Sequence, residues 1–400
     1  MLFTKGVIIG VMVSANKVDN KIILILDAQS SVVQGTLAIV GRGIPKVIFT
    51  YSADINIKSN SDNDLLVKTT LSIIKEVIDS ASRFLRHSDN LKDIPRLHKK
   101  IHAIHYVLSS PWIVSDAKVL SKRFDTKEVE ITQKYILDLI DADNKNLIQS
   151  DEPLQIIEQK IFDVKLNGYS VSDWEHKSAK DLEVSFTASM INSNMLNYFI
   201  DQCKHIVHSN KIYFHSSLLL QFIGIEEVLE PGKNYCLIHV HGNNTDVSMV
   251  KKESCIFFGS YDFGIKDFIE NLAKETGNGL QASDSLLALY VDNKLNNSEN
   301  KKNIVAIEKV SKQWLDELKN ILTEQKLDIK PPNSVILNCS THNACFVKVI
   351  QDSIPGVSIY TLSLDDLLHR VSFDHLTDTK ILTALYTIAI HSLNNNVVLK

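Results

Sequence analysis

The stretch Ile22-Ile23-Leu24-Ile25-Leu26-Asp27-Ala28-Gln29-Ser30-Ser31-Val32 sets the frame for the whole chain. Its unbroken apolar opening is what a strand buried on both faces requires. A short polar turn, Asp27 to Ser31, follows it. A second strand is expected at Val32–Val40 and, after Gly41-Arg42-Gly43, a third at Val47–Tyr51. Ser59–Asp64 reads as a polar linker with helix-cap chemistry. Leu66, Ile73, Val77, Ala81 and Leu85 then recur at helical spacing, with Ile74, Ile78 and Phe84 widening the stripe. Residues 101–109 return to strand, and Ser110-Pro111 ends it. The strand-turn-strand with an Asp near its turn occurs again about 210 residues later: Tyr235–Val240, the turn His241-Gly242-Asn243-Asn244, and Thr245–Val250. Each copy opens a βββαβα-like run, so the pattern is a duplication at domain scale.

Between the copies, about 115–188 reads as a separate small unit. Thr132 is placed to cap a helix running to about Ile140. A strand at Ile156–Leu166 closes on the turn pair Asn167-Gly168, and another is expected at Leu182–Ala188. The rhythm is strand, helix, strand, strand. Ser193 can cap a helix carrying Met195, Phe199, Ile200 and Cys203, Lys211–His215 reads as a short strand, and Pro231-Gly232 marks a boundary. Helices are expected at 262–275, 280–291 and 304–323, the last with Ile307, Val310, Trp314, Leu318 and Ile321 on one face. Asp292–Asn303 reads as a loop, Ser334–Leu337 as a buried strand, and Lys380–Leu393 as a final apolar helix stopped by Asn394-Asn395-Asn396.

Composition bounds the function. The chain has 400 residues, which at ~150 per domain suggests two or three. With 44% hydrophobic and 22% charged residues it is an ordinary folded protein, not a disordered one. Lys plus Arg is 43 and Asp plus Glu is 47, so the net charge is 43 − 47 = −4, which offers no electrostatic case for a nucleic-acid partner. Glycine is scarce, 14 in all, about half the usual ~7% share, although loops that cradle phosphate usually need it. No segment reaches the ~18 apolar residues that span a bilayer. The run Val7-Ile8-Ile9-Gly10-Val11-Met12-Val13 is short, only Lys5 precedes it, and no small-residue cleavage site follows. It is therefore read as an extra edge strand or arm rather than a signal peptide, with Asn16–Asn20 turning into the next strand. The cysteines Cys203, Cys236, Cys255, Cys339 and Cys345 form no CxxC and read as reduced core thiols.

Three turns carry a resemblance. They are Leu26-Asp27-Ala28-Gln29-Ser30-Ser31-Val32; Ile238-His239-Val240-His241-Gly242-Asn243-Asn244-Thr245-Asp246-Val247; and Val335-Ile336-Leu337-Asn338-Cys339-Ser340-Thr341. In this order they resemble the turns of the actin-like bacterial proteins FtsA and PilM. The unit opened by Glu130-Ile131-Thr132 and continued by Ile157–Ile161 and Leu166–Tyr169 resembles the domain FtsA inserts in its first half. Phe257–Ser260 with the helix at Asp267-Phe268-Ile269 resembles the stretch after the second hairpin. Together these cover about residues 20–393.

The resemblance implies an α/β fold: a duplicated actin-like (ribonuclease H-like) two-lobe architecture with a small α+β inserted domain. The divisions expected are 1–114 and 190–230 for the first lobe and 115–189 for the insertion. The second lobe takes 231–360, with a helical subdomain at about 259–330, and 361–400 packs back on the first lobe. It also implies ATP with Mg²⁺ between the lobes. Asp27 would hold the metal through water. Gln29, Ser30 and Ser31 of the first turn, and Gly242, Asn243, Asn244 and Thr245 of the second, would face the phosphates. Ser340 and Thr341 would pack on the adenosine.

The departures from the family pattern weigh against that ligand. The first-turn glycine is Gln29. In the second turn His239 replaces an Asp and His241 a glycine. The third turn has Cys339, Ser340 and Thr341 where the family has glycines. A Cβ at a left-handed position costs about 1 kcal/mol or more and can block a ligand. ATP binding is therefore expected to be weak or lost, hydrolysis weak or absent, and no catalytic residue is assigned.

Other readings of the same residues are simpler. His239 and His241 share a strand face at a metal-binding spacing, but replacement of the family's Asp and Gly explains them without a third ligand. His98, His102 and His105 span a loop and a strand start, a poor shape for a shared metal. Asp27 alone suits an ordinary turn. Trp112, beside Pro111 at the junction with the insertion, reads as packing. Ser30 has no G-x-S-x-G elbow to make it a nucleophile.

The expected function is an FtsA-like scaffold for cell division, cytoplasmic and peripheral at the inner face of the membrane. It would bind division-machinery proteins, self-associate through the insertion, and touch the membrane only indirectly. The alternative is a PilM-like platform for a type IV pilus that binds a membrane partner's cytoplasmic peptide. The chain's last residues, Asn394–Lys400, carry no basic amphipathic stretch, which favours the alternative or a relative that reaches the membrane through a partner. An ATP-hydrolysing enzyme or sugar kinase of the same fold ranks last, since it would need the missing second-turn Asp and the adenosine glycines.

Overall fold

A computed structural model describes residues 8–9, 20–56, 63–87, 99–147, 153–229, 234–252, 254–295, 300–324, 333–339, 341–374 and 381–396. The Ser59–Asp62 part of the linker, His98, Pro231-Gly232 and Ser340 lie outside these residues, as do Asn16–Asp19 and all of Val7–Val13 except β1 (Ile8–Ile9).

The first lobe begins with β2 (Lys21–Ala28), β3 (Val32–Val40) and β4 (Lys46–Asp54), followed by α1 (Asn63–His87) and β5 (Ile101–Leu108). Strand β2 is buried on both faces, as its apolar run requires. It pairs antiparallel with β3 on one side and parallel with β5 on the other, placing Asp27 opposite Val107. Helix α1 lays Ile74, Val77, Ile78, Ala81 and Leu85 on this sheet.

The inserted α+β unit holds β6 (Ile113–Arg123), β7 (Val129–Ile131), α2 (Gln133–Leu147), β8 (Leu154–Leu166), β9 (Tyr169–Ser170), β10 (Lys177–Ala179) and β11 (Asp181–Asn192). Its main sheet runs β1-β8-β11-β6, with Ile8 and Ile9 paired antiparallel to Lys160 and Gln159, so the described part of the N-terminal run is an added edge strand. Ile136 and Ile140 of α2 cover one face, against Ile161, Val164, Leu182 and Phe186. Strand β11 runs past the expected Ala188 because its polar Ser189 is satisfied when buried, sharing a 2.9 Å hydrogen bond with Ser115.

The chain returns through α3 (Ser193–Cys203), β12 (Ile212–Ser216) and α4 (Ser217–Val228). The Asn192 side chain, not Ser193, caps α3, accepting from the Asn194 and Met195 amides. The second lobe then repeats the plan: β13 (Asn234–Val240), β14 (Thr245–Lys251), β15 (Ser254–Tyr261), α5 (Ile265–Thr276), α6 (Leu280–Val291), α7 (Lys301–Glu324), β16 (Ser334–Cys339), α8 (Asn343–Ser353) and β17 (Ser358–Thr361). The first sheet runs β12-β5-β2-β3-β4 and the second β17-β16-β13-β14-β15. In both, the first three strands form an antiparallel meander and the last two add in parallel beside the first. The duplication seen in sequence is thus a duplication of topology.

After α9 (Leu364–Leu367), β18 (Ser372–Phe373) adds in parallel to β4, and α10 (Ile381–Asn396) is the last element among the described residues. Helices α4 and α10 cross between the lobes. A Cβ on Gly224 would stand 2.8 Å from the Leu385 carbonyl oxygen, so glycine permits this close crossing. Their side chains join Ile23, Ile25 and Val107 of the first sheet, Leu237 and Ile336 of the second, and Phe162 of the insertion in one core. All five cysteines are buried as reduced thiols. Burial pushes Cys203 to about 11 and Cys236 and Cys345 to about 12, so these are inert packing groups.

Candidate functional site

The two duplicated turns meet face to face. In the first, the Gln29 amide donates to the Val32 carbonyl (3.0 Å), and the Ser31 carbonyl accepts from the Ile55 amide (2.8 Å) just past β4. In the second, the His241 amide donates to Asn244 (2.8 Å). The His241 and Gly242 carbonyls accept from the Ile265 and Lys266 amides at 2.9 and 2.7 Å. The first amides of α5, which in an anion site would face the ligand, are thus spent on the turn itself. Asp267 accepts from the Gly264 amide, 3.0 Å away, and burial raises its carboxyl to about 6.

Side chains then join the turns across the cleft. Gln29 Nε2 donates to Asp27 Oδ2 at 2.7 Å, while Gln29 Oε1 lies 3.2 Å from His241 Nδ1. His241 Nε2 is 2.9 Å from Asp246 Oδ2. The other Asp246 oxygen accepts from Asn244 Nδ2 (3.0 Å), and Asn244 Oδ1 accepts from Ser30 (3.0 Å). Asp27, Gln29, Ser31, His241, Asn244 and Asp246 are all buried. Beneath them Gly242 lies against Ser31: a Cβ on Gly242 would stand 2.0 Å from Ser31 Oγ and 2.3 Å from Ser31 Cβ. Lys266 Nζ reaches across to the Ile55 carbonyl at 3.4 Å.

The network continues into the second lobe and the crossing helices. His239 lies tilted against His241 with ring centroids 3.7 Å apart, and burial, followed by the neighbouring His241, holds its pKa well below the usual value. Its Nδ1 accepts from Gln221 Nε2 at 2.9 Å, and the same amide donates to Ser217, whose hydroxyl meets Tyr386 at 2.8 Å. Burial first, then the nearby Asp27 and Asp246 carboxylates, raise the Tyr386 phenol well above its usual range.

The residues singled out in sequence fall into two groups. Asp27, Gln29, Ser30, Ser31, Gly242 and Asn244 are brought together, with Asn243 partly buried in the same turn. Thr245 points away: its hydroxyl donates to the Phe263 carbonyl (2.7 Å) and accepts from the Trp314 indole (3.1 Å) inside the second lobe. Thr341 follows β16, which runs parallel beside β13 with Cys339 opposite Val240, so it sits at the same end of the sheet, exposed. The turn residues as placed do not fit a triphosphate. A phosphate between the turns would have to displace Ser31 from Gly242 and break the Gln29–His241 and Ser30–Asn244 links.

A second buried polar cluster was not anticipated. Glu158 of β8 accepts from the Ser216 amide (2.9 Å) and faces His215 Nδ1 (3.1 Å), whose Nε2 lies 3.0 Å from His105 Nδ1. It joins the inserted sheet to the first lobe. In β8 the polar triplet Glu158-Gln159-Lys160 interrupts the apolar residues between Ile157 and Ile161, and a carboxylate buried there needs a partner. That interruption was the available signal. His102 lies outside this cluster, and burial lowers its pKa.

Topology and the paired turns define the class: this is an actin-like ATPase fold, two lobes of matching topology with an α+β insertion. Among solved structures, the chain matches one in a "PilM-PilN type IV pilus biogenesis complex" with a TM-score of 0.58 and 12% identity, over 94% of this chain and 98% of that one. The ethanolamine utilization protein EutJ from Carboxydothermus hydrogenoformans follows at a TM-score of 0.43 and 10% identity, over 94% and 92%. Apo psk41 ParM gives 0.38 and 10%, over 96% and 100%. Of these three, only the first is near enough to support an argument, and at that identity it speaks to fold alone. No family model matches the sequence, and no curated protein matches it significantly.

Proposed function

We propose that this chain is a binding scaffold of the actin-like fold with a degenerate nucleotide site, acting as a platform for a type IV pilus rather than as an ATPase. One observation carries the degenerate-site reading: the turns that would hold phosphate hold each other, with Gly242 packed under Ser31. The pilus role draws its support from the end-to-end match to the PilM-PilN structure. In this reading residues 115–189 form the insertion, which serves protein contacts including self-association. The partner is a short cytoplasmic peptide of a membrane protein. The membrane is reached only through it. Among the described residues no helix is long and apolar enough to cross a bilayer.

Two measurements test this. Calorimetric titration with Mg-ATP is expected to give no binding tighter than about 10 μM, and a tighter site would overturn the degenerate-site reading. Cytoplasmic peptides of pilus and of division membrane proteins, titrated in parallel, decide the role. Retention of a division peptide alone would return it to the FtsA-like reading. Pelleting with liposomes in the absence of any partner would count against both the peptide and the indirect membrane contact.

A further inference from the structure

The hydrogen bonds at His241 fix more than a contact. A carboxylate only accepts, so Gln29 must turn its Nε2 to Asp27, which leaves Oε1 facing His241 Nδ1. The other ring nitrogen faces Asp246 Oδ2. Both nitrogens of one imidazole therefore look at acceptors. A neutral ring carries one N–H and would leave one of these approaches, in a buried site, as a contact between two lone pairs. A ring protonated on both nitrogens satisfies both.

We infer that His241 is the resident cation of the cleft: an imidazolium that joins Gln29 and Asp27 of the first lobe to Asp246 of the second, holding the lobes together with the protein's own charge. It rests on the reading that nucleotide does not fill this cleft. The surroundings agree from each side. Asp27 on β2 and Asp246 on β14 supply negative charge. His239 on β13, tilted against the ring, has a Nδ1 that accepts from Gln221 and is neutral. Tyr386 on α10 keeps its proton. Lys266 on α5 directs its amine to the Ile55 carbonyl, not to the ring. Where an ATP-binding relative of this fold is expected to place an anion and a metal, this chain places a cation between two carboxylates and closes the gap around it.

The test is spectroscopic. In the full chain labelled with ¹⁵N-histidine, at pH 7.5, the His241 ring is expected to show the imidazolium pair of nitrogen shifts. That signal should vanish in His241→Asn. In Asp246→Asn, which keeps the ring but removes its carboxylate, it should become a neutral-tautomer signal. A neutral His241 in the wild-type chain overturns the inference, and so does a set of imidazolium signals that survives His241→Asn unchanged. Should His241→Asn fail to fold, the Asp246→Asn comparison still answers. Amide exchange at Gln29 and His241 is expected to quicken at least tenfold in either variant, and unchanged exchange would refute the lock between lobes. Mg-ATP added to the same sample separates the two readings. Tight binding with the imidazolium intact overturns the degenerate site alone, while a neutral ring with no ATP binding overturns the resident cation alone.

Discussion

Two buried histidine clusters hold this molecule together, and they work in opposite ways. Between the lobes, His241 has an acceptor at each nitrogen. At the seam with the insertion, His105 has another histidine at Nδ1, and the chain of bonds ends on a single carboxylate, Glu158. Both sites are deeply buried. What differs is the count of acceptors, and that count decides whether a buried imidazole carries charge. Burial, then the neighbouring His215, hold the His105 pKa well below its usual value. The lobe contact is ionic; the seam contact around His105 is neutral.

The comparison breaks most sharply at Gly242. Gly242→Ala drives a methyl into Ser31, and overpacking of this kind costs about 1–3 kcal/mol or more. Chemical denaturation is expected to show that loss, with part recovered in the Gly242→Ala/Ser31→Gly double variant. Two losses that simply add would mean the turns do not touch. At the seam, Glu158→Gln removes the carboxylate that accepts from His215 and the Ser216 amide, and is expected to cost about 1–3 kcal/mol. A loss near zero would deny the seam its role.

Acid sharpens the contrast. His105 and His239 have lowered pKa values, so they stay neutral in the fold while their unfolded forms take up protons below about 6.5. The unfolded state then binds more protons, so stability rises with pH and is lost as pH falls below about 6.5. The loss is ~1.4 kcal/mol per pH unit for each such histidine until its folded pKa is reached. Denaturation midpoints from pH 7 to 5 are expected to fall less steeply in His105→Asn than in the wild type, and equal slopes would rule out a neutral His105.

The smallest effect is expected at Lys160. Its amine stands 5.1 and 5.2 Å from the Phe162 and Phe222 ring centres, and burial pushes its pKa to about 8 against the pull of Glu158. Below pH 8 it is charged in both states. Between about 8 and the usual 10.5 only the unfolded form keeps the proton, so stability climbs with pH there. Lys160→Met is expected to cost no stability at pH 7 and to abolish that climb. A large loss at pH 7 would show that the cation over the rings stabilises the seam.

Much of the fold was legible because the pleat is read locally. The apolar run of β2 and its echo in β13 mark the duplicated strands, and the stripe of α1 marks the helix that covers them. Boundaries moved where a polar residue found a distant partner, as Ser189 did in β11, or where a cap lay further along: Gly264 starts α5 at Ile265, not at 262. The turns were legible as residues but not as contacts. Ser30 and Asn244 are 214 positions apart, and nothing local says that one accepts from the other. Gln29 and His241 read as glycines lost. In the fold they are the two side chains that span the gap. His215 and Glu158 gave only the faint signal of polar groups set among apolar strand residues.

The core shared by both sheets carries a consequence for synthesis. Leu382, Leu385, Tyr386, Ala389 and Ile390 of α10 complete a cluster that begins with Ile23 and Ile25 of β2. Every strand of both lobes precedes this helix in the chain, so the part of each sheet that α10 covers, beside the part under α4, stays uncovered until it is made. That shared core is complete only once residues 381–396 have been made, however early the turns form.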